Sequence, residues 1–238
     1  MKNKKYSYVG ICFIILLFGV FVVRNYKHHS TPRDSRLNHV KKELPNSSGL
    51  SYLVIDRKER KMPEFNLTDQ NNQTVSNIDY EGKVFVVEFF FTTCPSICPI
   101  MNRNMLKVEE KFGDRNDFGI ASVTINPSVD TPIKLKKYAE NYGVTSLNWH
   151  FLTGDRDTIF EIANKGLNIF AGLNPEVEGG FEHQGFFALV DKNGYLRSRK
   201  DNHGNPKIFY QGIEEEEVAL LIEDIKLLLE EEQNGDNN

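Results

Sequence analysis

Two cysteines four positions apart, Cys94 and Cys98, stand within FFFTTCPSICPIM at residues 89–101. A thiolate attacks disulfides and binds soft metals, so the pair suits either thiol–disulfide exchange or two-sulfur metal ligation. A separation of four can bring both sulfurs to one side of a helical turn. An apolar run precedes the pair and a helical pattern follows it. That order places both sulfurs at the carboxyl edge of a sheet, beside a helix N-terminus. Free N–H groups and the helix dipole favour the thiolate there. Pro95 and Pro99 stiffen the loop and remove two N–H donors. An inert stapling disulfide is the plainer alternative, but so small a loop would constrain little unfolded-chain entropy.

The elements that must hold the pair alternate. Lys83 to Phe91 (KVFVVEFFF) is nearly continuously apolar, β-branched and aromatic, as in a strand buried on both faces. Met101, Met105, Val108 and Phe112 share one face of a helix. Phe118 to Ile125 is a second strand, and Thr131 to Tyr142 a second helix that Asp130 or Thr131 can cap. Trp149 to Leu152 is a short strand. Asp155 or Asp157 caps a third helix through Ile159, Ile162 and Ala163. Residues 168–182 read as irregular and Gly-rich. Gly185 to Val190 turns at Asp191-Lys192-Asn193-Gly194 into Tyr195 to Arg199. Glu214 to Glu231 is a closing helix with Val218, Leu221, Ile222, Ile225 and Leu228 inward. Phe65 to Leu67 and Thr74-Val75 flank a polar turn, a small N-terminal hairpin. Hairpin, βαβαβα, hairpin and helix make a mixed α/β sheet flanked by helices, the order of the thioredoxin fold.

The chain has 238 residues, 39% hydrophobic and 26% charged, which excludes a disordered polymer and a multi-span membrane protein. Three cysteines are too few for a disulfide scaffold. A net charge of -4 argues against general nucleic-acid binding. Val9 to Val23 (VGICFIILLFGVFVV) is uncharged and would rise about 22 Å as a helix, which Tyr6 to Tyr8 can extend at the interface. With no small-residue cleavage site after Val23, an uncleaved transmembrane anchor is favoured over a signal peptide. Val9-Gly10-Ile11 is a poor lipoprotein approach to Cys12, which reads as an apolar helix residue. The expected division is an anchor at 1–24, a polar tether at 25–50, one domain at 51–232 and a disordered tail at 233–238. Six Lys/Arg between Arg24 and Lys42, against three before the run, would by themselves put the domain in the cytoplasm.

Four blocks in register resemble the Sco/SenC family, thioredoxin-fold copper chaperones for cytochrome c oxidase, over about residues 62–230. They are the strand with TTCPSICP, Ser122 to Pro132 (SVTINPSVDTP), Trp149 to Asp155 (WHFLTGD), and Glu182-His183 before GFFALVDKNG. The resemblance implies Cys94, Cys98 and His183 as copper ligands. Two thiolates and an imidazole suit Cu(I), and Cu(II) with an added ligand; thiolates also bind Zn²⁺. It implies partner or second-shell contacts for Asp130. Asn126 stands where many members carry Asp, so this chain has no carboxylate at that position. Implied partners are a copper donor protein and the copper-binding subunit of cytochrome c oxidase. The implied location is a single-pass membrane anchor with the domain on the extracytoplasmic, periplasmic side, against the charge count above.

The alternative function is a thiol–disulfide reductase in which Cys94, nearer the strand, attacks and Cys98 resolves. A redoxin-type peroxidase is a third reading, which His183 and a cysteine at +4 fit less well. His150 reads as structural and His203 as solvated. Met101 and Met105 read as core, and Glu214 to Glu217 as a solvated helix start.

Overall fold

The computed structural model describes Leu16 and residues 49–235, apart from residues 56, 177–179 and 202. Cys12, the tether up to residue 48, residues 236–238 and, Leu16 aside, the expected anchor lie outside the described residues. Among the described residues no helix is long and apolar enough to cross a membrane.

In chain order come β1 (Ser51–Tyr52), β2 (Val54–Ile55), β3 (Lys58–Glu59), β4 (Asn66–Thr68) and β5 (Thr74–Ser76). A 3-10 turn at Asn77–Tyr80 leads to β6 (Val84–Phe90), α1 (Cys98–Phe112), β7 (Phe118–Thr124), α2 (Pro132–Tyr142) and β8 (Trp149–Leu152). Next are α3 (Arg156–Phe160), which runs on as a π-helical segment Glu161–Leu167, then β9 (Ala171–Leu173) and β10 (Phe181–His183). The chain closes with β11 (Phe186–Val190), β12 (Leu196–Ser198), β13 (Tyr210–Gln211) and α4 (Glu215–Gly235).

The main sheet has the order β1-β12-β11-β6-β7-β8, with β13 also paired to β11. The strands β6, β7 and β8 are parallel, and β11 lies antiparallel to β6. All seven residues of β6 are buried, as are all seven of β7. A run without polar alternation has no face to give to water, so it goes to the centre of the sheet. Each fully buried Val or Phe there contributes about 1.5–3 kcal/mol relative to exposure. Both crossovers, β6–α1–β7 and β7–α2–β8, step in one direction along the sheet. The right-handed rule therefore puts α1 and α2 on one face. Asn102 of α1 accordingly donates through Nδ2 to the Tyr138 hydroxyl of α2 at 3.0 Å. On the other face Phe85 packs on Tyr80, with ring centroids 4.6 Å apart.

The mixed sheet with its helices matches the thioredoxin-like expectation. Four details differ. The segment read as irregular at 168–182 contains the hairpin β9–β10, with His183 opposite Ala171. A further strand, β1, closes the sheet edge by pairing with β12, and Leu50 before it is buried. Strands of two or three residues are too short to show a period, so only tertiary pairing reveals them. The last helix keeps Val218, Leu221, Ile225 and Leu228 inward, but Ile222 is only partly buried, and the helix runs to Gly235. Finally, neither Asp130 nor Thr131 caps α2 through a side chain: Thr131 makes no such bond, and Asp130 turns wholly inward. Asp155 does cap α3, accepting from the Thr158 N–H at 2.8 Å.

Candidate metal centre

The centre is built at the carboxyl end of β6. Phe91 follows the strand, buried, and its ring lies 5.5 Å from Phe181 and 5.9 Å from His183. A tight turn follows in which the Cys94 N–H donates to the Phe91 carbonyl at 3.1 Å. Cys98 is the first residue of α1, followed by Pro99, whose missing N–H costs nothing where helix donors are unpaired anyway. Both sulfurs therefore sit where the helix dipole is positive.

His183 arrives from the end of β10. Its hairpin is closed by Gln184, whose N–H donates to the Phe170 carbonyl at 3.2 Å and whose Oε1 accepts from the Phe170 N–H at 3.0 Å. The Nδ1 atom lies 3.3 Å from the Gln184 carbonyl. A carbonyl can only accept, so this contact puts an N–H at Nδ1. Nε2 lies 3.2 Å from Cys98 Sγ.

The three ligand atoms of Cys94, Cys98 and His183 all lie within 4.8 Å of one another. With about 2.3 Å to sulfur and 2.0–2.1 Å to nitrogen, as for zinc, trigonal ligands stand about 3.8–4.0 Å apart. A thiolate-binding ion thus fits with shifts of less than an ångström or so. Both cysteines are free thiols, Cys98 fully buried, Cys94 and His183 9% and 8% exposed. The S–H of Cys98 hydrogen-bonds Cys94 and, with His183 and the N–H groups of Ser96 and Cys98, drives the Cys94 thiol down to about 3 against its partial burial. The same Cys94 contact, with burial, pushes the Cys98 thiol well above its ordinary range. The opposite directions make Cys94 the more acidic thiol of the pair.

Asp130 is fully buried and so is not presented at the surface. Its carboxylate accepts from the Thr92 N–H at 2.9 Å and from Thr124 Oγ1 at 2.6 Å. Asn126, also buried, accepts from Ser128 Oγ at 2.9 Å, a role its amide oxygen fills without a charge. His150 lies half-buried 3.6 Å from Asp69, and His203 is exposed, both away from the ligands. Met101 and Met105 are fully buried core.

Sequence reasoning missed Glu88. It is fully buried in β6, where Oε1 accepts from Ser122 Oγ at 2.6 Å and Ser122 accepts from Trp149 Nε1 at 2.9 Å. Burial pushes its carboxyl up to about 7, against the Ser122 hydrogen bond. One acid inside the otherwise apolar run Val84 to Phe91 was the available signal.

A family model, SCO1/SenC, matches residues 55–216. The SCO1 protein homolog of Bacillus subtilis is 34% identical over 165 residues, covering 68% of this chain and 79% of that one. A proposed copper-binding protein of Stutzerimonas stutzeri is 31% identical over 153 residues, covering 62% and 72%. The structure of BsSco, a member of the Sco family of cytochrome c oxidase assembly proteins in which a disulfide switch was identified, superposes with a TM-score of 0.59. It shares 32% identity, over 71% of this chain and 93% of that one. With the fold, the strand–loop–helix dithiol and the matched span all in agreement, this chain belongs to the SCO1/SenC family.

Proposed function

We propose that this protein is a membrane-tethered copper chaperone that takes up Cu(I) at Cys94, Cys98 and His183 and passes it to a copper-binding subunit of cytochrome c oxidase. The observation that carries this reading is the convergence of two sulfurs and one imidazole nitrogen within 4.8 Å. Soft thiolates select Cu(I), and a three-ligand set leaves an approach open for an incoming partner ligand. The names of the relatives, one proposed to bind copper and one belonging to an oxidase-assembly family, point the same way.

The residues divide the work. Cys94, the more acidic thiol and the more exposed of the two, meets the cargo first. Cys98 must lose its proton for the second bond, so loading is coupled to proton release. His183 presents Nε2, its ring oriented by the Nδ1 contact with the Gln184 carbonyl. Transfer then proceeds by stepwise ligand exchange with a copper donor on one side and the oxidase subunit on the other. The apolar run at Val9–Val23 would supply the anchor, with the domain extracytoplasmic; full protection from protease in intact spheroplasts would sink that placement.

The split between the two thiols supports a second reading, reduction of a partner disulfide. Cys94 attacks one partner sulfur and releases the other as thiolate; Cys98, losing its proton, then displaces the partner and leaves a Cys94–Cys98 disulfide.

Anaerobic Cu(I) titration of the reduced full-length protein, with X-ray absorption to count neighbours, separates the two. One copper per chain with two sulfurs and one nitrogen is expected. A site without nitrogen, or no stoichiometric binding, overturns the chaperone reading in favour of the reductase.

A further inference from the structure

The loop that carries Cys94 needs an anchor of its own. The Cys94 N–H bonds inside the same turn, to the Phe91 carbonyl, and Pro95 has no N–H to give. Two residues before Cys94, however, Thr92 meets a fully buried carboxylate from another part of the chain. Asp130 Oδ2 accepts from the Thr92 N–H at 2.9 Å, and Oδ1 accepts from Thr92 Oγ1. Asp130 Oδ2 also accepts from Thr124 Oγ1 at 2.6 Å. Lys134 Nζ stands 3.5 Å from Oδ1 and offsets part of the buried charge.

The carboxylate is itself held. The Asp130 N–H donates to the Asn126 carbonyl at 2.9 Å, and the Asn126 N–H donates to Thr124 Oγ1 at 3.0 Å. One group therefore ties together the end of β6, the end of β7 and the start of α2. Bonds to an ionised acceptor are about twice as strong as neutral ones, and in a buried site they resist exchange with water. Capping alone would not use such a group: α2 takes no side-chain cap from it.

We propose that the clasp of Thr92, Asp130 and Thr124 positions the Cys94 sulfur against Cys98 and His183, with Thr92 acting as a positioning residue of the metal centre. The inference deepens the copper-binding reading and rests on it for its metal-affinity arm; its thiol-reactivity arm stands without metal. The adjacent Thr93 is exposed and serves as the internal control.

The test compares Thr92→Val, Thr92→Ser and Thr93→Val in the reduced full-length protein. Three quantities are read: alkylation rate of Cys94 relative to Cys98, Cu(I) affinity by competition, and melting temperature. Thr92→Val keeps the side-chain volume and loses the hydroxyl. It is expected to weaken Cu(I) binding about 10–100-fold, as loss of a supporting hydrogen bond does at metal sites. It should also slow Cys94 alkylation, because a loosened loop no longer holds the thiolate among its donors. Thr92→Ser restores the hydroxyl and should behave as wild type, as should Thr93→Val. Unchanged alkylation and affinity in Thr92→Val overturns the clasp, and so does equal impairment in Thr92→Ser. If Thr92→Val does not fold, Asp130→Asn, of equal volume, is read against the same criteria. A wild-type protein that binds no Cu(I) removes the copper reading, while the alkylation ratio still decides the clasp.

Discussion

The two halves of the metal centre are built to different standards of rigidity. The cysteine half rests on β6, whose seven residues are all buried between β7 and β11, and on the first turn of α1. The histidine half rests on β10, a three-residue strand paired with β9 alone, in a sheet separate from the main one. Phe170 and Leu173 on that hairpin are 48% and 56% exposed. It meets the core through the rings of Phe181 and His183 on Phe91 and through buried Ala171. Under the chaperone reading proposed above, such an asymmetry would let two ligands stay fixed while the third moves at small cost in stability.

The largest expected contrast is in stability. Phe89→Ala, in the central strand, should lower the unfolding free energy by about 3–5 kcal/mol, since it empties a fully buried aromatic site. Phe181→Ala, half-buried on the hairpin, should cost about 0.5–1.5 kcal/mol, the scale of one aromatic pair. Urea unfolding of both variants checks this. Equal losses would mean that the hairpin is as much part of the core as β6.

The next effect sharpens the character of the cysteine half. The Glu88 carboxyl is raised from 4.5 to about 7 by burial. The folded state therefore holds a proton that the unfolded state has lost between these values. The resulting stability is fully present below about pH 4.5 and disappears as pH rises through about 7. Glu88→Gln mimics the protonated form and should be more stable than wild type above pH 7, by on the order of 3 kcal/mol, with little difference at pH 4. Chemical denaturation across this range measures it. A parallel pH course for the two proteins would show that Glu88 is ionised in the fold.

The smallest effect tests the histidine half directly. His183→Ala should reduce Cu(I) affinity about 100-fold or more, roughly 2.7 kcal/mol, while leaving oxidation of the dithiol near normal. A competition titration beside a disulfide-formation assay reads both. Unchanged affinity would mean that the hairpin contributes no ligand, and the asymmetry would then have no bearing on copper.

Much of the cysteine half could be read in the chain itself. The apolar run at 83–91, the motif at 94–98 and the periodicity from Met101 to Phe112 are contiguous, and local pattern dictates local structure. The resemblance of the four motif blocks carried His183 to the site before any geometry did. Physical reading of the residues alone could not do so, because Cys98 and His183 are 85 positions apart and a lone histidine has no periodic signature. Strands as short as β9 and β10 exist only because each pairs with the other, which composition does not announce. Asp130 is the clearest limit. Its place before Pro132 suits a helix cap equally well, and its burial against Thr92 depends on how β6, β7 and α2 pack. Sequence alone thus determined the order of the longer elements and the dithiol, through side-chain period and type. Only the tertiary structure decided which distant imidazole faces the sulfurs and which carboxylate holds their loop, because those contacts close long loops that no local interaction specifies.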